Sequence, residues 1–262
     1  MKRILRDAYF ALILLFLYAP IVLVIVFSFN AGSDRGRMSG FSFQWYEKLF
    51  ANDSGLLESL GNTLLVALAA SLIATVIGTY AALILCKMTP LGKRVTMIVN
   101  NIPMLNAEIV TGISLMMLFA FLSVPLGFGS LLIAHIAFNV PYVTLSVLPR
   151  VRDLNASTYE AALDLGAPPA LAFFKVTLPE ILPGVVSGLL MAFTLSLDDV
   201  IISYFTSGAE FITLSVKINA MTKKTVPLTV NALSTLMFAA VFVLLLLINF
   251  KPKKAKKVPA TL

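Results

Sequence analysis

The sequence predicts an all-α membrane protein with six transmembrane helices, and two observations predict this fold class. Hydrophobic residues make up 59% of the 262-residue chain and charged residues only 13%, whereas a soluble domain is typically about 45 to 50% apolar. Apolar runs long enough to cross a bilayer, about 20 residues each, occur six times. They are residues 8–29, 63–86, 95–122, 130–149, 184–205 and 229–250. We therefore expect one transmembrane domain that includes the whole chain, residues 1–262.

The first apolar run has the basic flank of a signal peptide, because Lys2, Arg3 and Arg6 precede it. A signal peptide, however, has an apolar core of about 7 to 15 residues, and this run has 22. We interpret it as an uncleaved membrane anchor.

The distribution of Lys and Arg predicts the orientation of the chain. Fourteen of these 20 residues lie in the N-terminal segment, two alternate loops and the C-terminal tail, and six lie in the other loops. Because basic residues are enriched on the cytosolic side, both termini are expected in the cytosol. The tail KPKKAKK, residues 251–257, could contact membrane lipids or could be solvated and only fix the orientation. The net charge of +7 does not indicate nucleic-acid binding, because the basic residues flank the spans and form no aromatic-interleaved patch.

Three acidic residues lie inside the apolar runs, at Glu108, Asp198 and Asp199, and none of the runs contains Lys or Arg. Inserting each charge costs about 2.5 to 3.5 kcal/mol. Protonation, water, a cation from a partner subunit or a cationic substrate must therefore compensate it. With a rise of 1.5 Å per residue, Glu108 and Asp198 are each about 20 Å from the cytosolic end of their run. We expect these acids at one depth in the membrane.

The fifth run is expected to be one continuous helix. On such a helix Ser196, Asp199 and Ser203 fall at i, i+3 and i+7 and form a polar stripe, so Asp199 would face a substrate pathway. Asp198 would flank it, or hydrogen-bond a neighbouring helix or the Thr194 hydroxyl. The third run carries asparagines and a proline before Glu108, so its backbone is expected to be broken there, where it faces protein or water. The alternative is that the acids are neutral hydrogen-bond partners between helices.

The chain contains a single tryptophan, a single histidine and a single cysteine. Trp45 is interpreted as an interfacial aromatic anchor, with contact to a cationic substrate or to a substrate-delivering protein as the functional alternative. His135 is expected to be a neutral hydrogen-bond partner between helices, with a proton relay as its alternative. Cys86 is expected to be a small buried hydrophobe. The sequence has neither a GxxxxGK[ST] phosphate loop nor a Cys and His cluster, so we expect no cofactor, metal or covalent chemistry in this chain.

The longest cytosolic loop, residues 150–183, has the pattern of two short helices. Ser157 and Glu160 form a predicted capping box, Gly166 supplies a left-handed stop, and Pro168 or the next proline opens a second helix toward Pro179. Helices this short are marginal in water unless they pack against something. We expect the loop to dock on a partner.

This loop resembles the EAA loop of ABC importer permeases, and the matching residues are Glu160, Ala161, Ala162, Gly166, Val176, Leu178 and Pro179. Val176 stands where the family usually has isoleucine. The resemblance implies the type I permease fold. It also implies that the loop is a coupling helix pair lying in a groove on an ATP-binding subunit.

The order of the spans, the segment FSFQWYEKLF and the run LSLDDV are similar to the second permease subunit of spermidine/putrescine importers. The resemblance implies a multi-pass protein of the bacterial inner membrane that imports polyamines by alternating access. The partners it implies are two ATP-binding subunits that hold ATP and Mg, a second permease and a periplasmic polyamine-binding protein. The alternatives are the same machinery for another cationic solute or a metal ion, and a proton-coupled secondary transporter. The candidate pathway residues are Glu108, Asp198, Asp199, Ser196, Ser203 and Trp45.

Overall fold

The computed structural model describes residues 2–34, 36–51, 54–223 and 226–249, and the regular structure of these residues is helical. The helices are α1 (Lys2–Ser28), α2 (Gln44–Phe50), α3 (Leu56–Lys87), α4 (Pro90–Leu105), α5 (Glu108–Phe121), α6 (Phe128–Arg152), α7 (Ala156–Asp164), α8 (Pro169–Ala172), a π-helical turn (Phe173–Thr177), α9 (Leu178–Asp198), α10 (Ile201–Thr206), α11 (Leu214–Thr222) and α12 (Thr229–Asn249). The prediction of an all-α fold is confirmed.

Several of these helices have the length and apolar composition of membrane spans. Within the described residues, four continuous segments are long and apolar enough to span a membrane, and α4 with α5 qualifies as a fifth span if this pair, bent by 104°, is counted as one. The described apolar part of α12, Thr229–Val243, is shorter than these spans. The four continuous segments are Tyr9–Ser28, Leu56–Lys87, Phe128–Arg152 and Pro169–Asp198. Residue 250 and the basic tail 251–257 lie outside the described residues.

The third apolar run is interrupted where the sequence predicted a break. α4 ends at Leu105, and both Asn106 and Ala107 have extended backbone, with ψ of 148° and 135°. α5 then begins at Glu108. The break therefore places this acid in the first turn of a new helix.

The fifth apolar run is also broken, so the prediction of one continuous helix was wrong. α9 ends at Asp198, Asp199 has extended backbone with φ of −63° and ψ of 126°, and α10 begins at Ile201. Aspartate competes well for such positions, because its short carboxylate can accept backbone N–H groups at the start of the next helix.

The loop 150–183 contains the two predicted helices, with two differences. Asn155 caps α7, and its side-chain oxygen accepts the N–H of Ser157 at 3.1 Å, so the predicted capping box was wrong. The second helix does not stop near Pro179 but continues through the π-helical turn into α9. Gly166 has φ of +84°, which confirms the left-handed stop after α7.

The chain divides into two compact units, residues 1–57 with 224–262, and residues 58–223. In the first unit α12 packs against α1 and α2. In the second unit α6 and α9 form the most extensive contact, and α5 packs against α10. The expectation of a single domain over residues 1–262 stays a prediction.

Glycines allow α6 and α9 to approach closely. A Cβ atom on Gly188 would lie 3.1 Å from Val143 Cγ1, and one on Gly184 would lie 2.8 Å from Arg150 Cγ. Small residues at helix crossings permit such contacts in membrane proteins. Buried Val147 and Ile181 belong to the same core. This packing holds the first half of α9 against α6.

Candidate functional site

The second unit contains an acidic cavity at the end of α9. Its volume is about 280 Å³, and it is lined by residues of α5, α6, α9, α10 and the α9–α10 break. The lining residues are Glu108, Phe138, Tyr142, Thr194, Leu195, Asp198, Asp199, Val200, Ile201 and Ile202. The structure thus brings together the three intramembrane acids that the sequence placed at one depth.

Glu108 and Asp198 provide the unpaired charges of this cavity. Both residues are exposed, and within the described residues neither carboxylate takes part in an ion pair. Glu108 lies in the first turn of α5, where the helix dipole favours an anion, whereas Asp198 ends α9, where the dipole disfavours one. The end of α9 is therefore strongly electronegative. Such an arrangement attracts a cation.

Asp199 uses its carboxylate as a cap for α10. Oδ1 accepts the N–H of Ile202 at 3.2 Å, and Oδ2 accepts the N–H of Ser203 at 2.6 Å. Its side chain is only 6% exposed. The polar stripe expected for a continuous helix does not form, and Asp198 rather than Asp199 presents the unpaired carboxylate.

His135 on α6 contacts the same cap. Its Nε2 lies 3.1 Å from Ser203 Oγ and 3.6 Å from Asp199 Oδ2, and its side chain is 1% exposed. The expected interhelical hydrogen bond is therefore present. The proximity of the histidine to an acid was missed, and the only sequence signal was a lone histidine in an apolar run.

α6 also contacts the chain on the other side of the α9–α10 break. Asn139, one turn after His135, donates an Nδ2 hydrogen to Ser196 Oγ at 2.7 Å. Ser196 and Ser203 are 3% and 0% exposed. These serines, which the sequence suggested as pathway residues, are buried partners of α6 and do not line the cavity. We call the two pairs, His135 with Ser203 and Asn139 with Ser196, the α6 clasp.

Gly112 brings α5 close to α10. It lies one turn after Glu108, and a Cβ atom there would lie 2.8 Å from Phe205 Cδ2 and 3.5 Å from the Ile201 oxygen. Only a residue without a side chain fits this contact unchanged. The close crossing holds Glu108 beside the cavity.

Trp45 belongs to the first unit, where its side chain is largely buried. It is 9% exposed, and its Nε1–H donates to the Asn30 carbonyl at 2.7 Å. The ammonium of Lys48 lies 4.7 Å from the ring centroid, so a cation of the same chain contacts one face of the indole. The interfacial-anchor and substrate-contact interpretations of Trp45 both stay predictions. Its hydrogen bond ties the indole to the segment that begins at Asn30.

The residues of the EAA pattern differ in exposure. Glu160, Ala161 and Gly166 are exposed, as is Leu165 at 89%. Leu178, by contrast, packs against the buried core of the second unit. One part of the pattern is thus available for contact, and the other part anchors the loop to α9.

An all-helical fold with apolar spans, two broken helices and an acidic cavity inside the membrane-spanning part defines the class of polytopic transport proteins. The chain belongs to the family described as binding-protein-dependent transport system inner membrane component, which matches residues 74–250. As a member of this family it is a transport permease subunit and not an enzyme.

Several relatives cover nearly the whole chain. It is 38% identical over 252 residues to the spermidine/putrescine transport system permease protein PotC of Haemophilus influenzae, covering 95% of this chain and 97% of the relative. Identity to PotC of Escherichia coli strain K12 is 37% over 244 residues, 93% of this chain and 92% of the relative. Identity to the putrescine transport system permease protein PotI of the same strain is 37% over 233 residues, which are 86% of this chain and 83% of the relative.

The fold also matches a solved structure, the crystal structure of a bacterial ABC transporter involved in the import of the acidic polysaccharide alginate. The TM-score is 0.72, over 95% of this chain and 96% of that chain, at 16% sequence identity. The chain therefore has the ABC permease fold.

Proposed function

We propose that this chain is a permease subunit of an ATP-driven ABC importer that moves polyamines such as spermidine and putrescine across the bacterial inner membrane. The observation that carries the proposal is the pair of unpaired carboxylates, Glu108 and Asp198, in one cavity inside the apolar part of the fold. The names of the relatives PotC and PotI give the same class of substrate.

The chemistry of the cavity suits a polyamine. Such a molecule carries ammonium groups separated by short methylene chains, so it is complemented by separated carboxylates with apolar surface between them. Phe138, Tyr142 and Leu195 supply that surface, and an aromatic face also attracts an ammonium group. The small number of charges leaves binding weak enough for release, which transport requires.

The α6 clasp has a positioning role in this proposal. Asp199 starts α10, and His135 and Asn139 hold the chain on both sides of the break. Because α9 and α10 are separate segments, they can change their angle at Val200 without loss of helical hydrogen bonds within either. We propose that alternating access uses this break, with Asp199 keeping α10 formed throughout.

The topology in this proposal has six spans with both termini in the cytosol and one transmembrane domain over residues 1–262. The α4–α5 pair is the third span, α9 with α10 is the fifth, and α12 begins the sixth. The chain pairs with a second, similar permease, and a periplasmic polyamine-binding protein delivers the substrate. Two ATP-binding subunits hold ATP and Mg, and one of them receives the loop 150–183 through its exposed residues Glu160, Ala161, Leu165 and Gly166.

Uptake by cells that express this chain with its transport partners tests the proposal. We expect uptake of labelled spermidine and putrescine that disappears when this chain is deleted, stops on ATP depletion and persists with an uncoupler. Uptake that survives ATP depletion but not the uncoupler would instead indicate a proton-coupled secondary transporter. Uptake of a metal ion or another organic cation, with no competition by unlabelled polyamines, would change the proposed substrate but leave the proposed ABC importer unchanged.

A further inference from the structure

The second unit has a larger cavity, separate from the acidic one. Its volume is about 470 Å³, within the range of roughly 300 to 1,000 Å³ for small-molecule sites. The last turns of α3, the end of α6, α7 and the π-helical turn line it, and apolar side chains such as Leu83, Ile84, Val151 and Phe173 form most of its walls. None of its lining residues belongs to the acidic cavity.

The position of this cavity relates it to the membrane surface. Lys87, the last residue of α3, lies at its edge, next to a loop that the distribution of basic residues assigns to the cytosol. The exposed aliphatic residue Ile84, 56% exposed, precedes Lys87 by one turn. In the proposed orientation the cavity therefore lies where lipid headgroups of the inner leaflet meet their acyl chains.

Two opposite charges line the cavity without neutralising each other. Lys87 and Glu180 are both exposed residues that line the cavity, and within the described residues neither takes part in an ion pair. Tyr80 and Tyr159 add hydroxyl groups at the lining. Separated positive and negative groups above apolar walls complement a ligand that is zwitterionic at one end and apolar at the other.

We propose that this cavity binds an inner-leaflet phospholipid whose headgroup carries both a phosphate and a primary ammonium, as in phosphatidylethanolamine. Lys87 pairs with the phosphate as a point charge, Glu180 accepts hydrogen bonds from the ammonium, and the apolar walls contact an acyl chain. Phosphatidylglycerol has no ammonium for Glu180. The quaternary ammonium of phosphatidylcholine has no hydrogen to donate to it.

The bound lipid would contact the coupling loop. Tyr159 of α7 and Val176 of the π-helical turn line the same cavity as α3, so one lipid would connect α3 to both parts of the loop. π-helical turns occur frequently at functional sites. The consequence for transport rests on the proposed function: without this lipid, ATP hydrolysis should be less well coupled to polyamine import.

Lipid retention by the complete transporter tests the site directly. We would purify the complex from nanodiscs of phosphatidylethanolamine, phosphatidylcholine or phosphatidylglycerol and count retained lipids by native mass spectrometry. Glu180→Gln is expected to remove the preference for phosphatidylethanolamine over phosphatidylcholine, roughly tenfold for a charge-assisted hydrogen bond. Lys87→Gln is expected to lower retention of both. Lys93→Gln and Asp153→Asn, which change charges outside the cavity on the same predicted side, should retain lipid as the wild type does.

Equal retention of the three lipids by the wild-type complex would overturn the proposal, as would unchanged retention in both cavity variants. If the assembled wild-type complex retains no lipid at all, the proposal is also overturned, because a partner subunit would then occupy the cavity. Spermidine uptake measured on the same preparations keeps the two proposals distinguishable. Preferential retention without polyamine transport would refute the proposed function and leave the lipid site standing.

Discussion

Replacing Asp198 by asparagine separates a cation site from a purely structural acid pair. Asparagine has nearly the shape of aspartate, so the substitution removes one charge from the cavity with little change of volume. Because the Asp198 carboxylate is exposed and unpaired within the described residues, no protein hydrogen bond should be lost. The fold should therefore persist while the attraction for a polycation falls.

The size of the effect follows from the position of Asp198. An ammonium about 4 Å from a carboxylate interacts by about 4 kcal/mol at an effective dielectric constant of about 20. Water and counter-ions reach an exposed carboxylate, so we expect a loss of about 1 to 2 kcal/mol, which corresponds to a rise in KM of roughly 5- to 30-fold. Maximal transport per assembled complex should change less than KM.

Asp199→Asn provides the contrast, because Asp199 is buried and accepts two backbone N–H groups. An amide offers one acceptor oxygen, so its NH₂ group would face a backbone N–H. An unsatisfied buried donor costs about 1 to 3 kcal/mol. We expect this variant to lower the thermal stability and the amount of assembled complex.

The assay is uptake of labelled spermidine and putrescine over a range of concentrations, normalised to assembled complex. Glu108→Gln should resemble Asp198→Asn, since both acids line the cavity and neither is ion-paired within the described residues. Glu210→Gln, which neutralises an exposed acid outside the cavity, controls for the overall change of charge. Near-normal KM values in both cavity variants would refute the cation-site argument and favour acids that only hold helices together.

Substitutions at His135, Gly112, Gly166 and Trp45 test the surrounding structure. His135→Ala should lower the stability and maximal transport of the complex with little change in KM. His135→Gln should partly restore both, because its side-chain amide can again hydrogen-bond Ser203. Full activity of the alanine variant would contradict the clasp. Gly112→Val should destabilise the fold by about 1 to 3 kcal/mol through overpacking and raise KM, whereas Gly129→Val, where a Cβ meets nothing within 4 Å, should do neither. Gly166→Val should add strain of about 1 to 2 kcal/mol at a left-handed residue. We expect weaker co-purification of the ATP-binding subunit while the membrane fold persists. Undiminished co-purification and substrate-stimulated ATP hydrolysis would count against this role of the loop. Trp45→Ala should reduce the amount of folded protein and leave uptake per molecule unchanged, and a raised KM would instead support the substrate-contact interpretation.

Local features of the sequence determined the elements of the fold. Continuous apolar runs predicted the long helices, because a membrane-spanning backbone must satisfy its hydrogen bonds internally. The polar residues before Glu108 predicted the break between α4 and α5. The glycine at position 166 predicted the positive φ that the structure has there, because few other residues adopt that conformation. Each of these properties depends on neighbouring residues and can be read along the chain.

That the three acids belong to one site could also be predicted, but not the role of each acid. Equal rise along two helices placed Glu108 and Asp198 at one depth, and both line the same cavity. Which acid is unpaired was decided by the break after Asp198, and the run LSLDDV has no glycine or proline to signal it. An aspartate inside a helix and an aspartate that caps the next helix look the same in a sequence.

Only the tertiary structure decided what α6 contributes. His135 meets Ser203 across 68 positions, and Asn139 meets Ser196 across 57, so these contacts exist only because α6 packs against α10 as well as α9. Trp45 is buried for a similar reason, because its indole reaches back 15 residues to the Asn30 carbonyl. The sequence by itself determined which segments are helical and which carry charge, because hydrophobicity and backbone preference act locally. The pairing of a carboxylate depends on the donors that helix packing brings within about 3 Å of it, and no local pattern encodes that distance.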